Sequence, residues 1–374
     1  MKVLFIHSHK FRRINSKIYS LGGLSQEVLN RYIMQDNELT VIARIIDEQE
    51  SKSNYSEIKD SRVKILNIKE LKLKGLKQQI KQADIVILRL PCMIGNIAVK
   101  YIKKFKKKYL VEVVACAWDA LTNHGFIGKL IAPLAYIMLK MKVKEATDVL
   151  YVSNSFLQSR YPTKGKNVAC SDVVLEDIDS DVLKQRKEKL DKLNLDSKIV
   201  LGTCAAVNVK YKGQQYVIKA INKLKKQGIN IQYELVGSGD NTRLNKLVKK
   251  YGLEDNVKFL GSMEHQDVFK WLDSIDIYIQ PSNQEGLCRA LLEAMSRACP
   301  CIASNAGGNP ELIDKKYIFK KKNVKDLTHK LCNMLDRESL KKQSVNNFEK
   351  SKEYQKEKLE KRRMEFYKDL NRNE

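Results

Sequence analysis

The chain has 374 residues, 43% of them hydrophobic and 30% charged; that balance supplies enough apolar surface for packed cores, excludes a wholly disordered or fibrous chain, and suits two domains of ordinary size. Lys and Arg outnumber Asp and Glu by 69 to 44, a formal charge of +25 at pH 7, which favours polyanionic partners: nucleic acid, anionic lipid or phosphate-bearing substrates. The excess is uneven, with +16 in residues 1–170 and +9 in the remainder.

Short β-branched runs alternate with longer amphipathic stretches. Lys2–Ile6 reads as a strand, Gly22–Tyr32 as a helix opening on a double glycine, and Leu39–Ile45 and Val63–Asn67 as strands. Ile85–Leu90 is a strand closed by Pro91, Asn96–Lys107 a helix, Tyr109–Val114 a strand, Phe126–Ala146 a helix interrupted near Pro133, and Val149–Ser153 a strand. A polar stretch, Ser171–Ser197, follows and is expected as an inter-domain linker. The second series has strands at Ile199–Cys204, Ile231–Val236, Val257–Leu260, Ile275–Gln280 and Cys301–Ser304, with helices at Gln214–Gln227, Arg243–Tyr251, Val268–Asp273 and Leu287–Ala298. This alternation predicts an α/β fold of two doubly wound, Rossmann-like domains with a cleft between them, ligands binding at the carboxyl ends of the strands. The expected division is 1–170, 171–345, and a charged C-terminal helix, 346–374, packing back toward the N-terminal domain.

The longest apolar run, Leu130–Leu139, contains Pro133 and is about half of the ~20 residues a membrane-spanning helix needs. Met1–Ile6 is too short for a signal-peptide core and leads into His7 and His9, read as loop histidines. The eight cysteines are then expected as buried free thiols in a reducing cytoplasm, and the sequon at Asn54 as chance.

The most informative stretch is Gln280–Met295. A strand ends at Gln280, a loop carries Glu285 and Gly286, and a helix follows with Glu293 inside it. A helix N-terminus offers unpaired N–H groups and a positive dipole end to a phosphate. Gly286 permits close backbone approach, Glu285 can accept hydroxyl hydrogen bonds, and Glu293 can bind a diol. The bland alternative is an amphipathic helix with an acidic approach.

Glu285-x7-Glu293, preceded by Pro281-Ser282 and followed by Gly307-Gly308-x-Pro310-Glu311-Leu312, resembles the retaining GT-B glycosyltransferases of family 4. Leu235-Val-Gly-Ser-Gly239, Phe259-Leu-Gly261, Lys212-Gly213 and the N-terminal Gly22-Gly-Leu-Ser25 fit the same pattern, which covers essentially the whole chain and is nearest to bacterial enzymes of surface-polysaccharide assembly. The resemblance implies a nucleotide-sugar donor, UDP- or GDP-linked, with no further cofactor; the lack of a strand-end Asp-x-Asp and of histidines at metal-ligand spacing predicts no metal requirement. It places the ribose on Glu293 and the sugar hydroxyls on Glu285. Backbone N–H groups of Gly286, Leu287, Cys288 and Arg289 would face the diphosphate or sugar. The base would lie near Gly261, Ser262 and Met263, in a pocket shaped by Gly237 and Gly239. The family's usual diphosphate Arg falls here near the apolar Ala206 and Val207. Lys212 remains, and Lys210 is either a substitute point charge or a solvated lysine.

On the acceptor side the resemblance implies Gly22 and Gly23 close to the diphosphate, and His124 near the anomeric carbon with Asp119 as competitor. Asp177-Ile-Asp179-Ser-Asp181 is read as solvated linker rather than a metal site, and His265 and His329 as surface positions. The Lys103–Lys108 run and the Lys129–Lys144 segment fit an interfacial helix on anionic lipid or a core helix with a lysine-rich face. The acceptor is expected to be a lipid-linked glycan, which favours the surface reading and a cytoplasmic protein at the inner face of the membrane. Competing classes are a GT-B nucleotide-sugar epimerase, a silent sugar-nucleotide-binding subunit, and a nucleic-acid binder. The last is disfavoured because the charge is spread over many helices without an aromatic motif.

Overall fold

Runs such as Ile85–Leu90 and Ile199–Cys204 carry apolar side chains on both faces, as strands covered on both sides do. They form the centres of two separate sheets. The computed structural model describes residues 1–33, 37–50, 55–123, 125–176, 178–194 and 198–371. One unit takes Met1–Val152, Leu157–Cys170 and the chain from Arg362 on; the other takes Ser153–Phe156 and Ser171–Lys361.

The first unit's strands are β1 (Lys2–Ile14), β2 (Lys17–Ser20), β3 (Glu38–Asp47), β4 (Ser56–Glu57), β5 (Val63–Asn67), β6 (Ile85–Leu90), β7 (Lys108–Val113), β8 (Asp148–Tyr151) and β9 (Lys166–Ala169). A parallel core runs β5-β3-β1-β6-β7-β8-β9, and β2 and β4 add antiparallel pairings at the far end of β1. The second unit's strands are β10 (Ile199–Cys204), β11 (Ile231–Val236), β12 (Val257–Gly261), β13 (Ile277–Gln280), β14 (Cys301–Ser304) and β15 (Ile318–Phe319). They pair in parallel in the order β12-β11-β10-β13-β14-β15. The chain works outward from β10 to β12 and then returns to β13 on the other side of β10. The gap between the carboxyl ends of β10 and β13 is therefore the topological switch point, where open α/β sheets bind ligands.

Several expectations need correction. β1 does not stop at Ile6. It continues to Ile14 and turns at Asn15-Ser16, both at positive φ (48° and 67°), the twist a two-residue hairpin requires. Gly22 therefore follows β2, His7 and His9 lie within β1, and the first helix shrinks to Gln26–Asn30. Pro133 does not interrupt its helix, which runs from Gly125 to Glu145.

The Ser171–Ser197 stretch is not all linker. Asp181–Lys192 is a helix with Val182, Arg186 and Leu190 buried, and the Asp179 carboxylate accepts from the Asp181 N–H at its start. Asp177 lies outside the described residues, as does Asn54. The C-terminal segment is two helices, Arg337–Ser351 and Lys356–Asn371, rather than the single charged helix expected over 346–374. Leu340, Phe348, Tyr354 and Leu359 are buried, and Tyr367 is buried in the first unit, where its hydroxyl donates to Glu112 at 2.7 Å.

Candidate functional site

Three loops of the second unit meet at its switch point. The first leaves β10 and closes in a tight turn over Lys210–Lys212, ending at Gly213 with φ 83°. A Cβ at Gly213 would lie 1.9 Å from the Pro281 carbonyl oxygen, so only glycine lets this turn lie flat on the loop after β13. The Asn283 N–H donates to the Tyr211 carbonyl at 2.7 Å and stitches the two loops together. The third loop, after β14, packs Gly307 (φ 57°) against the Glu285 carbonyl, where a Cβ would come within 2.0 Å, and Gly308 N–H donates to the Gly286 carbonyl at 2.7 Å.

These contacts fix Glu285. Its Oε1 accepts from Lys212 Nζ at 2.8 Å, from Ser282 Oγ at 2.7 Å and from Gln280 Nε2 at 3.3 Å. Behind it, Gln280 Nε2 donates to Ser282 Oγ at 2.8 Å, and Tyr278 OH donates to Gln280 Oε1 at 2.7 Å. Tyr278, Gln280 and Ser282 are buried, so the carboxylate is held by a chain of fixed dipoles. Burial opposes the Lys212 charge, but the Glu285 carboxylate and its neighbours outweigh it and hold the ammonium above its ordinary pKa.

Glu293 is buried in the helix Arg289–Ser296, and its Oε1 lies 3.2 Å from His265 Nε2. His265 is exposed, as expected of a surface position, yet it contacts a predicted site residue just beyond Ser262 and Met263. Burial pushes the Cys204 thiol up to about 11; the nearby Glu293 charge adds to this and Lys212 opposes it. The Cys288 thiol is buried and pushed up by burial, so its side chain faces the interior at the start of the helix, while Arg289 is exposed. The six cysteines other than Cys204 and Cys332 are buried, and all eight are free.

The opposite rim lies beyond β11. A Cβ at Gly237 (φ 147°) would meet the Ala205 carbonyl at 2.2 Å, and one at Gly239 (φ 113°) would meet Asn208 Oδ1 at 2.5 Å. Gly237 N–H donates to the Gly261 carbonyl at 2.7 Å, drawing the predicted base pocket together. Lys210 is exposed. Arg243, which sequence reasoning passed over, donates from Nη2 to the Val207 carbonyl at 3.5 Å and from Nη1 to Gln215 Oε1 at 3.3 Å. It brings a guanidinium to the place where Ala206 and Val207 supply none. Its signal was an arginine in the first turn of the helix after Gly-Ser-Gly239.

In the first unit Gly22 (φ 75°) and Gly23 lie in an exposed loop. Asp119 is buried, and its carboxylate lies 3.7 Å from Arg160 Nη1, a structural partnership. His124 lies outside the described residues. Among the described residues no group of three or more His, Cys, Asp or Glu side chains is placed to hold a metal ion.

Residues 185–351 match the family model described as glycosyl transferases group 1. Protein CapJ of Staphylococcus aureus is 36% identical over 348 residues, covering 89% of this chain and 86% of its own length. The chain belongs to the group 1 glycosyltransferases. The putative colanic acid biosynthesis glycosyltransferase WcaL of Escherichia coli is 34% identical over 110 residues, 28% of this chain and 27% of its own. Anabaena HepE, solved in complex with UDP, superimposes with a TM-score of 0.66 at 14% identity, over 99% of this chain and 100% of the other. The fold is GT-B, as the resemblance implied, and the protein is a glycosyltransferase. The family match covers the switch-point residues Lys210 to Gly308.

Proposed function

We propose that the enzyme moves a sugar from a UDP- or GDP-linked donor to a lipid-linked glycan in cell-surface polysaccharide synthesis, with retention of anomeric configuration and without a metal ion. The observation that carries this reading is the Lys212–Glu285 pair at the switch point, with Glu293 on the helix that begins beside it. Glu293 holds the ribose, and Glu285 the hydroxyls of the transferred sugar. Lys212, Arg243 and the N–H groups of Gly286 to Arg289 face the diphosphate, with Lys210 as an outer charge. Gly237, Gly239, Gly261, Ser262 and Met263 shape the base pocket. Pre-set cations and N–H dipoles stabilise the charge that develops on the leaving diphosphate, which removes the need for a divalent ion. The leaving phosphate oxygen takes the acceptor hydroxyl proton on the same face as the new bond forms. HepE's bound UDP and WcaL's colanic acid role support this donor and pathway class, and a lipid-linked acceptor places the work at the cytoplasmic face of the membrane.

A panel of UDP- and GDP-sugars in a thermal-shift assay, in EDTA, identifies the donor, because a ligand held only by the native state raises its melting temperature. Incubation of that donor with acceptor then reports turnover and anomeric configuration by NMR. Retained configuration without added metal is expected. Inversion, a requirement for divalent ion, or conversion of the donor without acceptor would overturn the reading.

A further inference from the structure

The helix Gly125–Glu145 is turned the wrong way for a core helix. Gly128, Ala132, Leu139 and Val143 face the first unit, while Phe126, Ile127, Leu130, Leu134, Ile137 and Met141 are each between 53% and 76% exposed. The larger apolar side chains point outward at helical spacing over four turns, a stripe about 22 Å long. Its borders are cationic. Lys129, Lys140 and Lys144 are exposed, and no Asp or Glu occurs from Ala120 to Lys144. Trp118, partly exposed, packs edge-on against Tyr136 of this helix, with ring centroids 6.2 Å apart. An apolar stripe this wide on a soluble surface marks an interaction site.

We propose that this helix lies in the interface of an anionic lipid bilayer, with the Phe126–Met141 stripe immersed among the acyl chains and the lysines at the phosphate level. Among the described residues no helix is long and apolar enough to cross a membrane, and this one is one-sided, as an in-plane helix is. The carboxylate-free border selects an anionic lipid surface, which attracts each lysine near it. A second copy docked on the same face would set these lysines against their own counterparts. Long lysine stems reach outward while their methylenes stay in apolar surroundings. The Lys103–Lys108 run contributes less than its sequence suggests, since Lys103 pairs with Glu145 and Lys107 donates to the Ala83 carbonyl. The proposal goes beyond the donor-site reading and does not depend on it.

The test is co-sedimentation of the full chain with vesicles of phosphatidylcholine and phosphatidylglycerol, against phosphatidylcholine alone, combined with quenching of Trp118 by lipid brominated in its acyl chains. Only two tryptophans are present, and Trp271 is buried in the second unit, so a Trp118→Phe control removes the reporting signal. Salt-sensitive binding to the anionic vesicles with quenching is expected. Leu130→Glu/Leu134→Glu should weaken it at least ten-fold, with unchanged melting temperature and unchanged nucleotide-induced thermal shift. Failure to sediment, equal binding to neutral vesicles, wild-type binding by the double variant, or a salt-resistant dimer that the double variant dissociates would overturn the proposal.

Discussion

Lys212 Nζ lies 2.8 Å from Glu285 Oε1, so the cation proposed for the diphosphate and the carboxylate proposed for the sugar form one charged pair. Each holds the other in place, at the end of the Tyr278–Gln280–Ser282 chain. Glu285→Gln keeps the shape and removes the charge, so kcat should fall roughly ten- to a hundred-fold while bare nucleotide diphosphate still binds, a charged hydrogen bond being worth about 1.5–3 kcal/mol. Lys212→Ala should instead weaken the bare nucleotide as well. Steady-state kinetics and calorimetry with the donor and the nucleotide separate the two. Identical losses for both ligands with kcat unmoved would show that this division of roles is wrong.

Glu293 presents a different case, because its proposed partner, the ribose, is the same before and during the reaction. Glu293→Gln should weaken donor and nucleotide alike by about ten-fold or more and leave kcat nearly intact. His265, with a side chain 62% exposed, contributes a solvent-screened contact, and His265→Ala should cost no more than ~1 kcal/mol of donor binding. A larger loss for His265→Ala than for Glu293→Gln would move the ribose contact to the histidine.

Arg243 and Lys210 compete for the role left open by Ala206 and Val207. A guanidinium can make paired contacts to a phosphate and an ammonium cannot. Arg243→Lys should therefore weaken nucleotide diphosphate binding several-fold, whereas Lys210→Ala should change it less than two-fold. The reverse ranking by titration calorimetry would assign the phosphate to Lys210.

The turn at Gly213 can be tested through stability. Gly213→Ala forces a Cβ into left-handed backbone and against the Pro281 carbonyl, whereas Gly261→Ala meets similar backbone (φ 75°) with nothing within 4 Å. The left-handed conformation alone costs a non-glycine residue ~1–2 kcal/mol. Denaturant unfolding should show a loss near that value for Gly261→Ala and about twice it or more for Gly213→Ala. Equal losses would mean that the two loops yield and that Gly213 does not fix Lys212.

The second unit was legible because its signals are local. Ile199–Cys204 and Cys301–Ser304 are short runs between breakers, Ile231–Val236 alternates apolar with polar residues, and all three form strands at those limits. Glu285 and the glycines fall just past strand ends, and Glu293 in the helix that follows, positions that any alternating α/β pattern reveals. What stayed hidden depends on contacts far apart in the chain. Glu112 is fully buried in β7, its carboxylate bonded by Tyr32 OH at 2.9 Å, Arg89 Nη1 at 2.9 Å and Tyr367 OH at 2.7 Å. Nothing near Glu112 announces Tyr367, so a charged helix over 346–374 packing back toward the N-terminal domain could be expected without its anchoring partner being named. The helix Ile68–Gln82 did carry a local sign, Asn67 and Glu70 at capping-box spacing; Asn67 Oδ1 accepts from the Lys69 N–H and its Nδ2 donates to Glu70. The outward apolar face of Gly125–Glu145 was open to two readings from its pattern, since periodicity gives the width of a stripe and not which side meets the protein.

β1 makes a prediction about pH. His7 Nδ1 donates to the Arg89 carbonyl at 3.1 Å, and His9 Nε2 lies 3.1 Å from Ser20 Oγ. Burial first, and then the Arg89 charge, lower His7 from 6.5 to about 4; burial and then Arg12 lower His9 to about 4. In the unfolded chain both rings take a proton near 6.5, while in the folded chain they stay neutral to about 4. The unfolded state therefore binds more protons across this window, and stability rises with pH through it. The contribution is complete above 6.5 and is lost as pH falls from 6.5 toward 4. Partial exposure reduces the full linkage value, leaving about 1–3 kcal/mol per ring. Urea unfolding at several pH values between 7.5 and 4.5 should show wild-type stability falling with acid. His7→Gln and His9→Gln, which cannot take up a proton, should lessen that slope even if each lowers stability at pH 7.5. A slope unchanged by both substitutions would mean that the two rings titrate normally and that acid acts elsewhere in the protein.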